Sequence, residues 1–87
     1  MTEAHTLTLQ PDEGWRLLGS TPEKSDVEVV LRSLDADVLF ATGKDKVTPD
    51  APPLTVRAGE GARLTGLHFF ARPAPHGAAR RILVRGL

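Results

Sequence analysis

The sequence predicts an all-β fold, a small antiparallel β-sandwich or barrel, jelly-roll-like, of about seven or eight short strands. Three observations carry this. Apolar residues alternate with polar ones at a period of two along most of the chain, as in Thr6-Leu7-Thr8-Leu9 and Val27-Glu28-Val29-Val30-Leu31-Arg32. No stretch sustains the 3.6-residue period of an amphipathic helix. Every proline falls between candidate strands, where a missing amide proton breaks no ladder.

Taken in order, Thr6 to Leu9 is a half-buried strand ended by Pro11-Asp12-Glu13-Gly14. Trp15 to Leu18 is a second, closed by Gly19-Ser20-Thr21-Pro22, with Trp15 read as a core or rim residue. Asp26 to Ser33 is the clearest strand, with Val27, Val29 and Leu31 on one face. A turn at Leu34 to Asp37 returns Val38 to Ala41 as its expected hairpin partner. The prolines at 49, 52 and 53 make Thr48 to Pro53 an exposed loop, with one short extended segment at Val47. Leu54 to Arg72 is organised about Gly59-Glu60-Gly61, expected to be a hairpin turn, with a bulge at Gly66. Arg80 to Leu87 closes the chain as a strand with Ile82 and Val84 inward. In this register Val30, Phe70 and Leu83 point away from the core and form an apolar outer patch.

Eighty-seven residues fit one domain over 1–87, with residues 1–5 free to extend as an N-terminal arm. A chain this short hides only about 60 per cent of its unfolded surface, so its core is small. It contains no cysteine, which excludes disulfide staples and fits folding in a cytosol. Self-association or docking on a larger body is then the expected source of extra stability. Net charge is zero, yet the halves differ. Residues 1–40 carry three cations against eight acids, and residues 41–87 carry eight cations against three acids. Such halves pair across a sheet or complement one another between copies. No basic region followed by an apolar run marks a signal peptide at Met1 to His5, and no apolar run approaches the roughly 20 residues that span a bilayer.

No catalytic constellation, cofactor motif or metal site is legible. His5, His68 and His76 lack ligand spacing, and Ser20, Ser25 and Ser33 lack the glycines of a nucleophile elbow. Gly59-Glu60-Gly61 is only part of a dinucleotide fingerprint and leads into a strand, where phosphate binding needs a helix N-terminus. The neighbouring acids Asp35 and Asp37, or Asp12 and Glu13, read as solvated turn residues. Arginines gather in the C-terminal half, but the sequence holds one Trp, three Phe and no Tyr, too few stacking partners for a single-strand nucleic-acid binder.

From Val27 onward the order of parts resembles small β-domains of tailed-phage structural proteins, especially head decoration and head-fibre proteins. The residues that carry it are Asp37-Val38-Leu39-Phe40-Ala41-Thr42-Gly43, Val47-Thr48, Leu54-Thr55-Val56-Arg57-Ala58-Gly59-Glu60, Leu67-His68-Phe69-Phe70-Ala71-Arg72 and Ile82-Leu83-Val84-Arg85-Gly86-Leu87. The resemblance implies a non-enzymatic virion component, assembled in the host cytoplasm. Such a cement subunit binds the major capsid protein, often as a trimer, and stabilises the shell. The alternatives are a tail or fibre adaptor and, from another class, a small ligand- or carbohydrate-binding module working through Trp15. The interface candidates are Thr6, Leu7, Leu9, Trp15, Val30, Phe70, Arg80, Arg81, Leu83, Arg85 and Leu87.

Overall fold

Alternating apolar side chains build eight strands in the computed structural model, which describes residues 4–11, 14–21, 28–74 and 79–87. They are β1 (His5–Leu9), β2 (Arg16–Ser20), β3 (Glu28–Ser33), β4 (Val38–Gly43), β5 (Leu54–Val56), β6 (Gly61–Thr65), β7 (His68–Pro73) and β8 (Arg80–Arg85). Every pairing is antiparallel. One sheet has the order β1-β8-β3-β6 and the other β2-β7-β4-β5.

The pairings are nested: β4 with β5, β3 with β6, β2 with β7, β1 with β8. The chain is therefore one long hairpin whose apex is the loop 44–53. Rolling that ribbon brings β8 against β3 and β7 against β4, which gives a jelly-roll sandwich.

Two expected hairpins are thereby corrected. Val38 to Ala41 does not pair with the strand before it, because β6 and β8 already occupy both edges of β3 and β4 belongs to the other sheet. The turn at Gly59 exists, with φ of 80° and a Glu60 N–H bond to the Arg57 carbonyl at 2.9 Å, but it carries the chain from one sheet to the other. The irregular register lies in β2 between Leu17 and Gly19, not at Gly66, which occupies the bend before β7. Val47 sits in a bend, and Pro73 ends β7 opposite Val38. Val27, the acidic pair Asp12 and Glu13, Ser25 and His76 lie outside the described residues.

The core lies between the sheets. Leu9, Val29, Leu31, Ile82 and Val84 meet Val38, Phe40, Val56, Phe69 and Ala71 there. Ser33 is the buried polar exception in the strands, and its hydroxyl donates to the Ala36 carbonyl, so its burial leaves no unmet group. Side chains fill the interior, and no cleft or cavity opens among the described residues.

Candidate interaction surfaces

Alternation that sends Leu31, Ile82 and Val84 inward sends their neighbours outward, and strand register then decides which of those meet. On the outer face of the β1-β8-β3-β6 sheet, Val30 pairs with Arg85 on one side and Arg63 on the other. In the next row Leu83 lies between Thr6 and Arg32, and beyond it Thr8 pairs with Arg81. The outer strand residues thus include two half-buried apolar side chains framed by Arg32, Arg63, Arg81 and Arg85.

Three of the four guanidiniums have partners within the fold. Arg63 pairs with Glu28 at 3.2 Å, an exposed contact worth at most about 1 kcal/mol. Arg81 holds Asp35 through its backbone N–H at 3.0 Å and its Nε at 2.9 Å. Those bonds, the backbone one foremost, keep the Asp35 carboxyl below its ordinary range. Arg32 donates to the Gly59 carbonyl at 3.2 and 3.3 Å. The Arg85 guanidinium has no hydrogen-bond or ion-pair partner among the described residues. Among the described residues of this face four arginines meet the acids Glu28 and Asp35, and the cations are planar, weakly hydrated guanidiniums suited to bidentate contact with carboxylates.

The opposite outer face belongs to β2-β7-β4-β5. Phe70 points away from the inter-sheet core, as its register requires, yet it is 1% exposed. Its ring edge and the Thr48–Pro49 backbone both crowd the outer side of Gly43, where a Cβ would lie 3.0 Å from Phe70, 2.8 Å from the Thr48 carbonyl oxygen and 3.0 Å from Pro49 Cα. The apex loop thus folds over this sheet. Arg72 lies 5.6 Å from the Trp15 ring centroid, so the half-buried indole already has a cation on its face. Ser20 Oγ lies 2.6 Å from His68 Nδ1, across the β2–β7 pair.

Of the residues predicted to contact a partner, the structure brings Thr6, Val30, Arg81, Leu83 and Arg85 onto one face. The others go elsewhere. Leu9 is core, and Leu7 and Leu87 pack against it. Arg80 pairs with Leu9 and so lies on the core side of β8. Phe70 belongs to the other sheet and Trp15 sits in the bend before β2, so the expected patch of Val30, Phe70 and Leu83 is split, with Phe70 covered. Leu9 and Phe70 point to no interface because burial in the chain's own fold has already taken their apolar area.

Alternation places Arg32 outward beside Val30, yet sequence reasoning left Arg32 and Arg63 out of the interface candidates, because only strand pairing sets them beside Val30 and Leu83. It also missed the Ser20–His68 bond, for which a separation of 48 positions leaves no local signal. No group of three or more His, Asp or Glu that could hold a metal occurs among the described residues.

The chain matches no family model and no curated protein. Among solved structures it is similar to protein NMB1881 from Neisseria meningitidis, with a TM-score of 0.60 and 18% identity, over 99% of this chain and 74% of that one. At that identity the likeness bears on the fold alone, and it agrees with the β-sandwich described above.

Proposed function

We propose that this protein is a non-enzymatic docking module that binds an acidic protein surface within a larger assembly, through the outer face of the β1-β8-β3-β6 sheet. The observation that carries the reading is the pair of rows Arg85–Val30–Arg63 and Thr6–Leu83–Arg32, an apolar centre framed by arginines. Stable interfaces have that anatomy: a desolvated apolar middle, a polar rim, and arginine in excess over lysine. No aromatic side chain stands among the outward residues of these strands, which favours a protein partner over single-stranded nucleic acid, whose bases need stacking platforms. The described residues form no cleft, which favours recognition through a surface.

The resemblance to tailed-phage decoration proteins supplies a specific assembly for this module. In that reading it is a virion subunit, the partner is the major capsid protein, and copies associate, with a trimer the expected state. Co-sedimentation with purified tailed-phage heads lacking the protein tests it. The wild type is expected to pellet with the heads, while Leu83→Asp and Arg85→Glu variants that keep the native circular dichroism spectrum stay in solution. If the wild type stays in solution, or the variants pellet equally well, capsid docking through this face is wrong. Size-exclusion chromatography with light scattering reads the oligomeric state separately.

A further inference from the structure

The two sheets end in the edge strands β1, β6, β2 and β5. Three of these have their pairing groups interrupted: β1 gives its Thr8 carbonyl to Arg16, β2 carries the register shift, and β5 is three residues long behind Pro52 and Pro53. By contrast β6 runs for five residues without a proline or a register shift, and among the described residues it pairs with β3 alone.

Which backbone groups of β6 are open follows from the ladder. The N–H and C=O of a strand residue point to one side, and successive residues alternate. The Ser33 N–H donates to the Glu60 carbonyl and the Leu34 N–H to the Arg81 carbonyl, both at 3.0 Å, so odd-numbered residues of β3 bond towards β6 and even-numbered ones towards β8. In the observed register Val29 and Leu31 then bond Leu64 and Ala62. The N–H and C=O groups of Gly61, Arg63 and Thr65 face away from the sheet, an open row that another extended backbone matches.

A second observation lies across the sandwich. β6 packs against β4, and β5 is the next strand out in that sheet. Leu54 of β5 pairs with the core residue Phe40 and so faces between the sheets, yet it is 43% exposed. A core-facing leucine stays wet there because no strand beside β6 covers it.

We propose that the β6 edge is a strand-addition site, which takes an extended segment of a partner protein as a fifth strand of its sheet. The backbone of that segment bonds Gly61, Arg63 and Thr65, and an apolar side chain on its inner side covers Leu54. A second copy of β6 fits less well, since it would bring Arg63 near its own copy. Recognition here runs through the backbone at the edge of the sheet, whereas the docking face described above works through side chains.

The blocked peptide acetyl-Thr-Val-Thr-Val-Thr-amide is the probe, titrated into the full chain and followed by backbone amide NMR. In the free protein the Ala62 and Leu64 amides are expected to exchange slowly and those of Gly61, Arg63 and Thr65 fast; the peptide should shift and protect the latter three. Of two analogues, N-methylated at the valines or at the threonines, one should keep binding and the other lose it, because only one set of amides faces β6. Arg63→Pro, at a position whose N–H makes no ladder bond, should weaken binding about tenfold, and Leu54→Ser, at an exposed position, should weaken it several-fold. Leu83→Asp, which tests the docking face, should bind the peptide like the wild type. The proposal is overturned if millimolar peptide shifts none of these signals, if the shifts centre on Trp15 and Leu17, or if both analogues bind alike. It is also overturned if Leu54→Ser binds like the wild type. Protection of the three amides by raised protein concentration alone would mean that the edge pairs with its own copy, and the foreign strand would be wrong. Failure of capsid docking leaves these outcomes unaffected, so the two readings fail separately.

Discussion

Gly43 ends β4 with three contacts waiting for any side chain it might acquire. The nearest is a backbone carbonyl oxygen at 2.8 Å, which cannot rotate aside as a flexible side chain would. Gly43→Ala is therefore expected to cost about 1–3 kcal/mol, the usual range for overpacking, read as a lower urea midpoint at unchanged slope. Gly59 has open space around it but a φ of 80°, so substitution there is penalised by the backbone alone. Asp35 and Asp45 give the pH dependence at this scale. Both carboxyls are held below their unfolded values by hydrogen bonds to the charged form. Stability from each is fully present above the unfolded aspartate pKa of about 3.9 and is lost as pH falls through the lower folded value. Urea midpoints are expected to fall below about pH 4, and Asp35→Asn should flatten that fall; both groups are exposed, so the change is small.

At the scale of the element, β7 shows how two adjacent aromatic residues can both be buried in a strand. Phe69 enters the inter-sheet core, and Phe70, one residue on, faces outward beneath the apex loop. Phe70→Ala is expected to destabilise by about 3–5 kcal/mol in urea unfolding, as a buried phenylalanine does. A change within about 0.5 kcal/mol would mean that the loop leaves Phe70 on an open surface. The strand edges are also managed. β5 has three residues preceded by Pro52 and Pro53, β2 carries the register shift, and the Thr8 carbonyl of β1 accepts from Arg16 at 2.8 Å. Two β6 strands meeting edge to edge would bring Arg63 near its own copy, so association of copies is expected to use faces rather than edges.

Over the whole molecule, nested pairing makes the last strand added the one that joins the ends, with His5 opposite Val84. Such long-range closure is slow, and refolding followed by the single Trp15 is expected on the millisecond-to-second scale. Microsecond refolding would contradict the jelly-roll pairing.

The sequence by itself determined where most strands run and which way many of their side chains face. Period-two alternation is set by local backbone geometry, and it placed Val29, Leu31, Val38, Phe40, Ile82 and Val84 inward and Val30, Leu83 and Arg85 outward. Only the tertiary structure decided which edges pair. A meander of hairpins and a rolled single hairpin make the same demands on alternation, and they differ in many weak contacts between residues remote in sequence. That choice separated Phe70 from Val30 and Leu83, brought Ser20 to His68, and set Arg32 and Arg63 beside the apolar pair. It also turned a proline-rich connection into the apex that covers one sheet.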